Sequence, residues 1–121
     1  MRTVTTEING QTFNLATNLR VAYNVQGQHN HKPYVEIFQD IGNMSIEQQI
    51  NILFAAFEVA NPEVAKTFNK GSFLNYYLDN FDLSVVMDQL QGVVKGILGE
   101  DDKTAEDEET EGESTGDGGN L

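Results

Sequence analysis

From Thr3 to Leu15 apolar residues alternate with polar ones, and after Ala16 the apolar spacing changes to the threes and fours of helices. The alternating stretch contains Asn9-Gly10, a pair suited to the two positive-φ positions of a type I′ turn. That turn sets a register in which Ile8 faces Gln11, Thr6 faces Phe13 and Val4 faces Leu15. Val4, Ile8, Phe13 and Leu15 then share one face, with Thr3, Thr5, Glu7, Thr12 and Asn14 on the other. A lone hairpin is marginal in water, so its apolar face is expected to lie on helices.

The helical part divides at its caps and breakers. Thr17 or Asn18 is expected to cap a short helix that turns Leu19, Ala22 and Tyr23 inward and ends near Gly27. After a polar loop, Pro33 suits a first helical position, and Tyr34, Ile37, Phe38 and Ile41 form a stripe closed by Gly42. Ser45 and Gln48 have capping-box spacing ahead of Ile46, Ile50, Leu53, Phe54 and Phe57, which predicts an amphipathic helix to about Ala60. Asn61-Pro62-Glu63 reads as cap, first-position proline and first-turn acid of a helix with Val64 and Phe68 inward. Gly71-Ser72 restarts the chain for Phe73, Leu74, Tyr77, Leu78 and Phe81. Asp82 then caps a last helix carrying Leu83, Val86, Met87, Leu90, Val93, Val94 and Ile97. The expected fold is α+β and mostly helical: an N-terminal β-hairpin packed on a bundle of five or six short helices.

Charge separates this body from the C-terminal segment. The chain has 121 residues and a formal net charge of −12. Residues 99–121 hold ten acids against Lys103 alone, net −9, so the body, 1–98, is left with −3. Apart from Ala105 and Leu121 the segment has no apolar side chain to offset an ordering cost of roughly 1–2 kcal/mol per residue, and a disordered acidic tail is expected. An acidic chain is repelled by phosphate, which argues against binding nucleic acid or anionic lipid. With no run near 18 apolar residues and no basic, apolar leader at the N-terminus, a cytoplasmic protein without a membrane span is expected.

Candidate chemistry is sparse. His29 and His31 supply two ligands where zinc takes three or four from protein, and the chain has no Cys, so no metal or disulfide is expected. Glu36 with Asp40 and Asp79 with Asp82 read as helix-surface or helix-end acids, since nothing apolar brackets them. Ser45 and Ser72 are read as caps, and Gly27, Gly42 and Gly71 as helix terminators rather than a phosphate loop. The acids of the tail lack the spacing of a calcium loop. No catalytic residue or cofactor is assigned, and apolar surface remains as the candidate function. On the last helix, Leu83, Val86, Met87 and Leu90 are expected inward, against Phe57, Phe73 and Tyr77. Val93, Val94 and Ile97 are expected to be exposed contacts for a partner, helped by the adaptable Met87, the alternative being that all seven stripe residues are buried core. Gly92 and Gly96, one turn apart, would let a client helix or a dimer mate approach closely.

The turn at Asn9-Gly10, Phe13, Leu15 and Leu19 at the approach to the first helix, the stripe from Ile46 to Val59, the Asn61-Pro62-Glu63 start, the closing amphipathic helix and the charged tail together have a familiar order. In layout and size, residues 1–98 resemble the tail assembly chaperones of long-tailed, siphovirus-type phages, especially those of Gram-positive hosts. The resemblance implies a protein of the host cytoplasm, absent from the mature virion, that binds the tape measure protein and keeps it soluble until tail tube subunits polymerise around it. It also implies a longer frameshifted form that recruits the tail tube protein, this chain being the shorter one. Sticky helices beside a −9 tail suit such a holdase, because repulsion opposes self-aggregation. The rival readings are an acidic DNA mimic that blocks a nucleic-acid-binding protein and a small virion connector subunit. A mimic should spread its carboxylates over a folded surface, whereas here most of the charge lies in the tail.

Overall fold

In the computed structural model, which describes residues 3–100, β1 (Val4–Ile8) and β2 (Gln11–Leu15) pair antiparallel in the expected register, Val4 opposite Leu15 and Ile8 opposite Gln11. Asn9 and Gly10 both take positive φ, 53° and 80°, as the tight turn requires. Six α-helices follow: α1 (Leu19–Gln28), α2 (Tyr34–Gln39), α3 (Ile46–Ala60), α4 (Pro62–Thr67), α5 (Lys70–Asn80) and α6 (Leu83–Leu98). The fold is α+β, with the hairpin packed on the helices. Of the tail expected to be disordered, 99–121, Gly99 and Glu100 are instead hydrogen-bonded to the end of α6, and the remainder lies outside the described residues.

α3 is the axle of the molecule. Ser45 and Gln48 close a full capping box at its start. Ile50, Ile52, Leu53, Phe54, Ala55, Ala56 and Phe57 are all buried, so the helix is covered on nearly every side and touches β2, α1, α4, α5 and α6. Two features depart from the amphipathic helix expected: Ile52, Ala55 and Ala56, off the expected stripe, are buried too, and Ile46, at the first turn, is exposed. Around Phe57 the rings of Phe13, Phe54, Phe68 and Phe73 meet at centroid distances of 5.0 to 6.3 Å, with Phe13 and Phe68 edge to face, an arrangement that ring quadrupoles favour, and Phe54 and Phe73 tilted.

Polar clamps hold the hairpin to this core. Asn9 N–H donates to the Tyr76 hydroxyl at 3.0 Å, and Ala16 N–H donates to the Ala56 carbonyl at 3.0 Å. Thr6, on the apolar face, is buried and lies 2.7 Å from the Tyr77 hydroxyl, which lies 2.6 Å from Gln89 Oε1. An amide oxygen can only accept, so the single phenolic proton goes to Gln89 and the Thr6 hydroxyl donates to Tyr77. Gln89 Nε2 completes the chain by donating to the Thr5 carbonyl at 3.3 Å. β1, α5 and α6 are thereby joined through one buried tyrosine, and its burial pushes the phenol up to about 12.

Several local expectations are corrected. α1 continues through Gly27 to Gln28, and it buries Val21, Ala22 and Val25 while Leu19 and Tyr23 are 69% and 67% exposed. Leu19/Tyr23 and Val21/Val25 are both i,i+4 pairs, and the β-branched one is buried in the core. Asn18 caps α1 without a side-chain bond. Pro33 precedes α2 rather than opening it, and the Tyr34–Ile41 stripe is split, because α2 stops at Gln39 and a 3-10 turn, Ile41–Asn43, follows. Asn61 does not cap α4 with its side chain, which instead donates to the carbonyls of Asn14 and Phe57. At α5 the capping oxygen belongs to Asn69 and accepts from Ser72 N–H at 3.0 Å, so Ser72 is capped rather than capping. Asp82 does cap α6, accepting from Val85 N–H and the Ser84 hydroxyl, bonds that hold its carboxyl below the usual range.

Candidate partner-binding groove

α6 ends in a Schellman motif: Gly99 adopts φ 76°, its N–H reaches the Gly96 carbonyl, and Glu100 N–H reaches the Lys95 carbonyl at 2.8 Å. The last carbonyls of the helix are thereby satisfied, and the helix forms one wall of an open groove of about 330 Å³. Met87, Leu90 and Val94, at helical spacing, line this wall, and Phe38 and Ile41 from α2 and the 3-10 turn line the other. Gln91, Lys95 and Glu100 complete the lining with polar groups.

The break between α2 and the 3-10 turn shapes the groove. Asp40 Oδ1 accepts from Asn43 Nδ2 at 3.0 Å and stabilises the tight turn, while Gly42 at the groove carries no side chain to fill it. Buried Gln49 holds the turn from beneath, its Nε2 donating to the Ile41 carbonyl at 2.9 Å. Ile37 and Ile41 are anchored in the core, leaving Phe38 half-buried on the groove side.

The structure divides the six sequence-selected contact residues. Met87 and Val94 line the groove and are half-buried. Ile97 is also half-buried, and packs against the core. Val93 is fully buried and Gly92 is buried, which corrects the expectation that both face a partner. Gly96 does permit a close approach, but of the chain's own Thr17: a Cβ at Gly96 would lie 2.5 Å from Thr17 Cβ. The expected inward and outward halves of α6 are mixed as well: Val86 and Leu90 are buried as expected, but Leu83, expected inward, is 59% exposed, and Val93, expected outward, is buried. The missed groove residues, Phe38 and Ile41, lay in plain view in the second helical stripe. Their pairing with α6 is a tertiary fact that periodicity along one helix does not carry.

Other candidates do not assemble. Among the described residues no group of three or more His, Cys, Asp or Glu could hold a metal ion, and no helix is long and apolar enough to cross a membrane. His29 and His31 sit in a loop where Asn30 and His31 both adopt positive φ, 58° and 61°, and His31 N–H donates to the Gln26 carbonyl. Comparison with protein-family models, with curated proteins and with solved structures found no match.

Proposed function

We propose that the chain is a tail assembly chaperone of a long-tailed phage, a binding protein without catalysis, that holds an apolar helix face of the tape measure protein in the α2/α6 groove. The observation that carries this reading is the groove itself: an open, apolar-walled trough between two helical elements, with an adaptable methionine in one wall. Size and element order of the body fit the same class, and the net charge of −12 keeps a sticky surface soluble. On this reading the protein acts in the host cytoplasm and gives way to the tail tube protein, which a longer form of the chain would recruit.

Co-expression with a tape measure fragment from the same phage tests the proposal. The fragment should move from pellet to supernatant, and the gain should persist at high salt, because apolar contact is not screened. Met87→Gln with Val94→Ser should abolish the gain without lowering the melting temperature of the chaperone by more than a few degrees. Binding that vanishes in salt and is competed by duplex DNA would establish the acidic-mimic reading instead.

A further inference from the structure

The outer face of α6 carries an apolar strip longer than the groove it borders. At 3.6 residues per turn, Leu83, Met87, Val94 and Leu98 project within about 60° of one another. Met87 and Val94 line the groove, half-buried, whereas Leu83 and Leu98, at the two ends of the helix and outside that lining, are 59% and 41% exposed. The four positions are symmetric about the midpoint between Leu90 and Gln91: Leu83 and Leu98 lie equally far on either side of it, and so do Met87 and Val94. A second copy turned end for end over that midpoint sets Leu83 on Leu98 and Met87 on Val94. One patch then meets itself, as a two-fold interface requires.

Charge on the flank of the strip sets the direction. Asp88 and Lys95 are the charged residues of α6; both are exposed, and both follow the strip on the same side. A two-fold axis across an antiparallel pair keeps equal flanks together, so Asp88 of each copy comes within about 3 Å, measured along the helix, of the level of Lys95 in the other. Two opposite-charge pairs form at once. A parallel pairing puts Asp88 level with Asp88 and Lys95 level with Lys95 and makes neither. We propose that a second copy of this chain occupies the groove, its α6 lying antiparallel on the first and resting against half-buried Phe38 on the opposite wall. On the reading of the groove as the client site, self-pairing and client binding exclude one another, and the second copy covers the apolar walls until a client helix displaces it. The net charge of −12 on each copy opposes the approach at long range, and salt screens that repulsion more than it does the short contacts.

The test uses the full chain alone, near physiological salt. Sedimentation equilibrium should show monomer and dimer with a dissociation constant on the order of tens of micromolar, as suits an interface of one helix pair. Leu83→Ser with Leu98→Ser should leave a folded monomer, since both side chains are exposed and neither lines the groove. Lys95→Asp should weaken the dimer about fivefold, and adding Asp88→Lys should restore it by rebuilding both pairs with their signs exchanged. Because the chain has no cysteine, introduced thiols report the direction. Positions 83 and 98 lie about 22 Å apart along one helix, too far for a disulfide within a copy. Leu83→Cys and Leu98→Cys combined should therefore oxidise to a cross-linked dimer, while Leu83→Cys alone should not. A chain still monomeric at roughly tenfold above that concentration range, a dimer indifferent to the two serine replacements, a Lys95→Asp loss that the exchange does not restore, or cross-linking through Leu83→Cys alone overturns the inference. Each of these leaves the client reading standing. Conversely, a cross-linked dimer from a chain that never solubilises the tape measure fragment removes the client reading and keeps the self-pairing.

Discussion

A single phenolic hydroxyl at Tyr77, donating to Gln89 and accepting from Thr6, links three elements, so its loss reaches beyond one contact. Tyr77→Phe leaves buried Gln89 Oε1 without its donor and Thr6 without its acceptor, and should cost about 1–3 kcal/mol in urea unfolding at neutral pH. Adding Gln89→Leu should recover part of the loss, because removing both partners costs less than orphaning one. The same residue sets an alkaline limit. Its pKa is raised from 10.0 to about 12, so only the folded chain disfavours the phenolate. The stabilisation is complete below pH 10 and is lost as pH climbs from 10 to 12, at up to about 1.4 kcal/mol per pH unit. Tyr77→Phe should flatten that portion of the stability curve. Glycine supplies a second test, with opposite signs at two helical positions. Gly96→Ala gains helix propensity of about 1 kcal/mol yet drives a Cβ to 2.5 Å from Thr17 Cβ, and a net loss of about 1–2 kcal/mol is expected. Thr17→Gly should reverse that loss. Gly27→Ala, where nothing lies within 4 Å, should instead stabilise by about 0.5–1 kcal/mol.

At the scale of the element, local chemistry was legible where one signal dominated. Asn9-Gly10 determined the hairpin register, the Ser45/Gln48 box opened α3, and Asp82 capped α6, because each depends on backbone groups a few residues away. Phase was legible in α3 but not in α1. In α3 the apolar residues outnumber any alternative face, whereas α1 offers two i,i+4 pairs, and the choice between them rests on tertiary packing against α3, α2 and α6. Composition favoured burying the larger pair, Leu19 and Tyr23; the structure leaves them outside, with Arg20 5.5 Å from the Tyr23 ring centre. The buried glutamines were equally hidden, since Gln49 and Gln89 find their partners on other elements. These phases separate in thermal or urea unfolding. Tyr23→Ser should change stability by less than about 0.5 kcal/mol, while Val25→Ala should cost about 2 kcal/mol. In α3, Phe54→Ala should cost about 3–5 kcal/mol by emptying the contact with Phe73, whose ring lies 5.4 Å away, and exposed Glu58→Ala should cost almost nothing.

For the whole molecule, apolar contact and charge are divided between regions of the chain. The body, 1–98, carries −3 and, among the described residues, every core residue, while residues 99–121 carry −9 and only Ala105 and Leu121 as apolar side chains. Half of this division was readable from composition, but the groove was not, because it needs α2, the 3-10 turn and α6 brought together. Stability and colloidal behaviour should therefore respond differently when the acids are removed. A chain ending at Glu100 keeps the Schellman closure of α6 and all of the aromatic core, so it should melt within a few degrees of the full chain. At low salt it should melt slightly higher, since the removed segment contributes self-repulsion that added salt would otherwise screen. Its solubility should move the other way. Near pH 5 the full chain remains net negative, its sequence pI being about 4.2, whereas the shortened chain approaches neutrality with the groove and the Leu19/Tyr23 face still exposed. Light scattering against pH should show the shortened chain associating where the full chain stays dispersed. A fall of many degrees in melting temperature at both salt levels would show instead that the acidic segment contributes to the folded body.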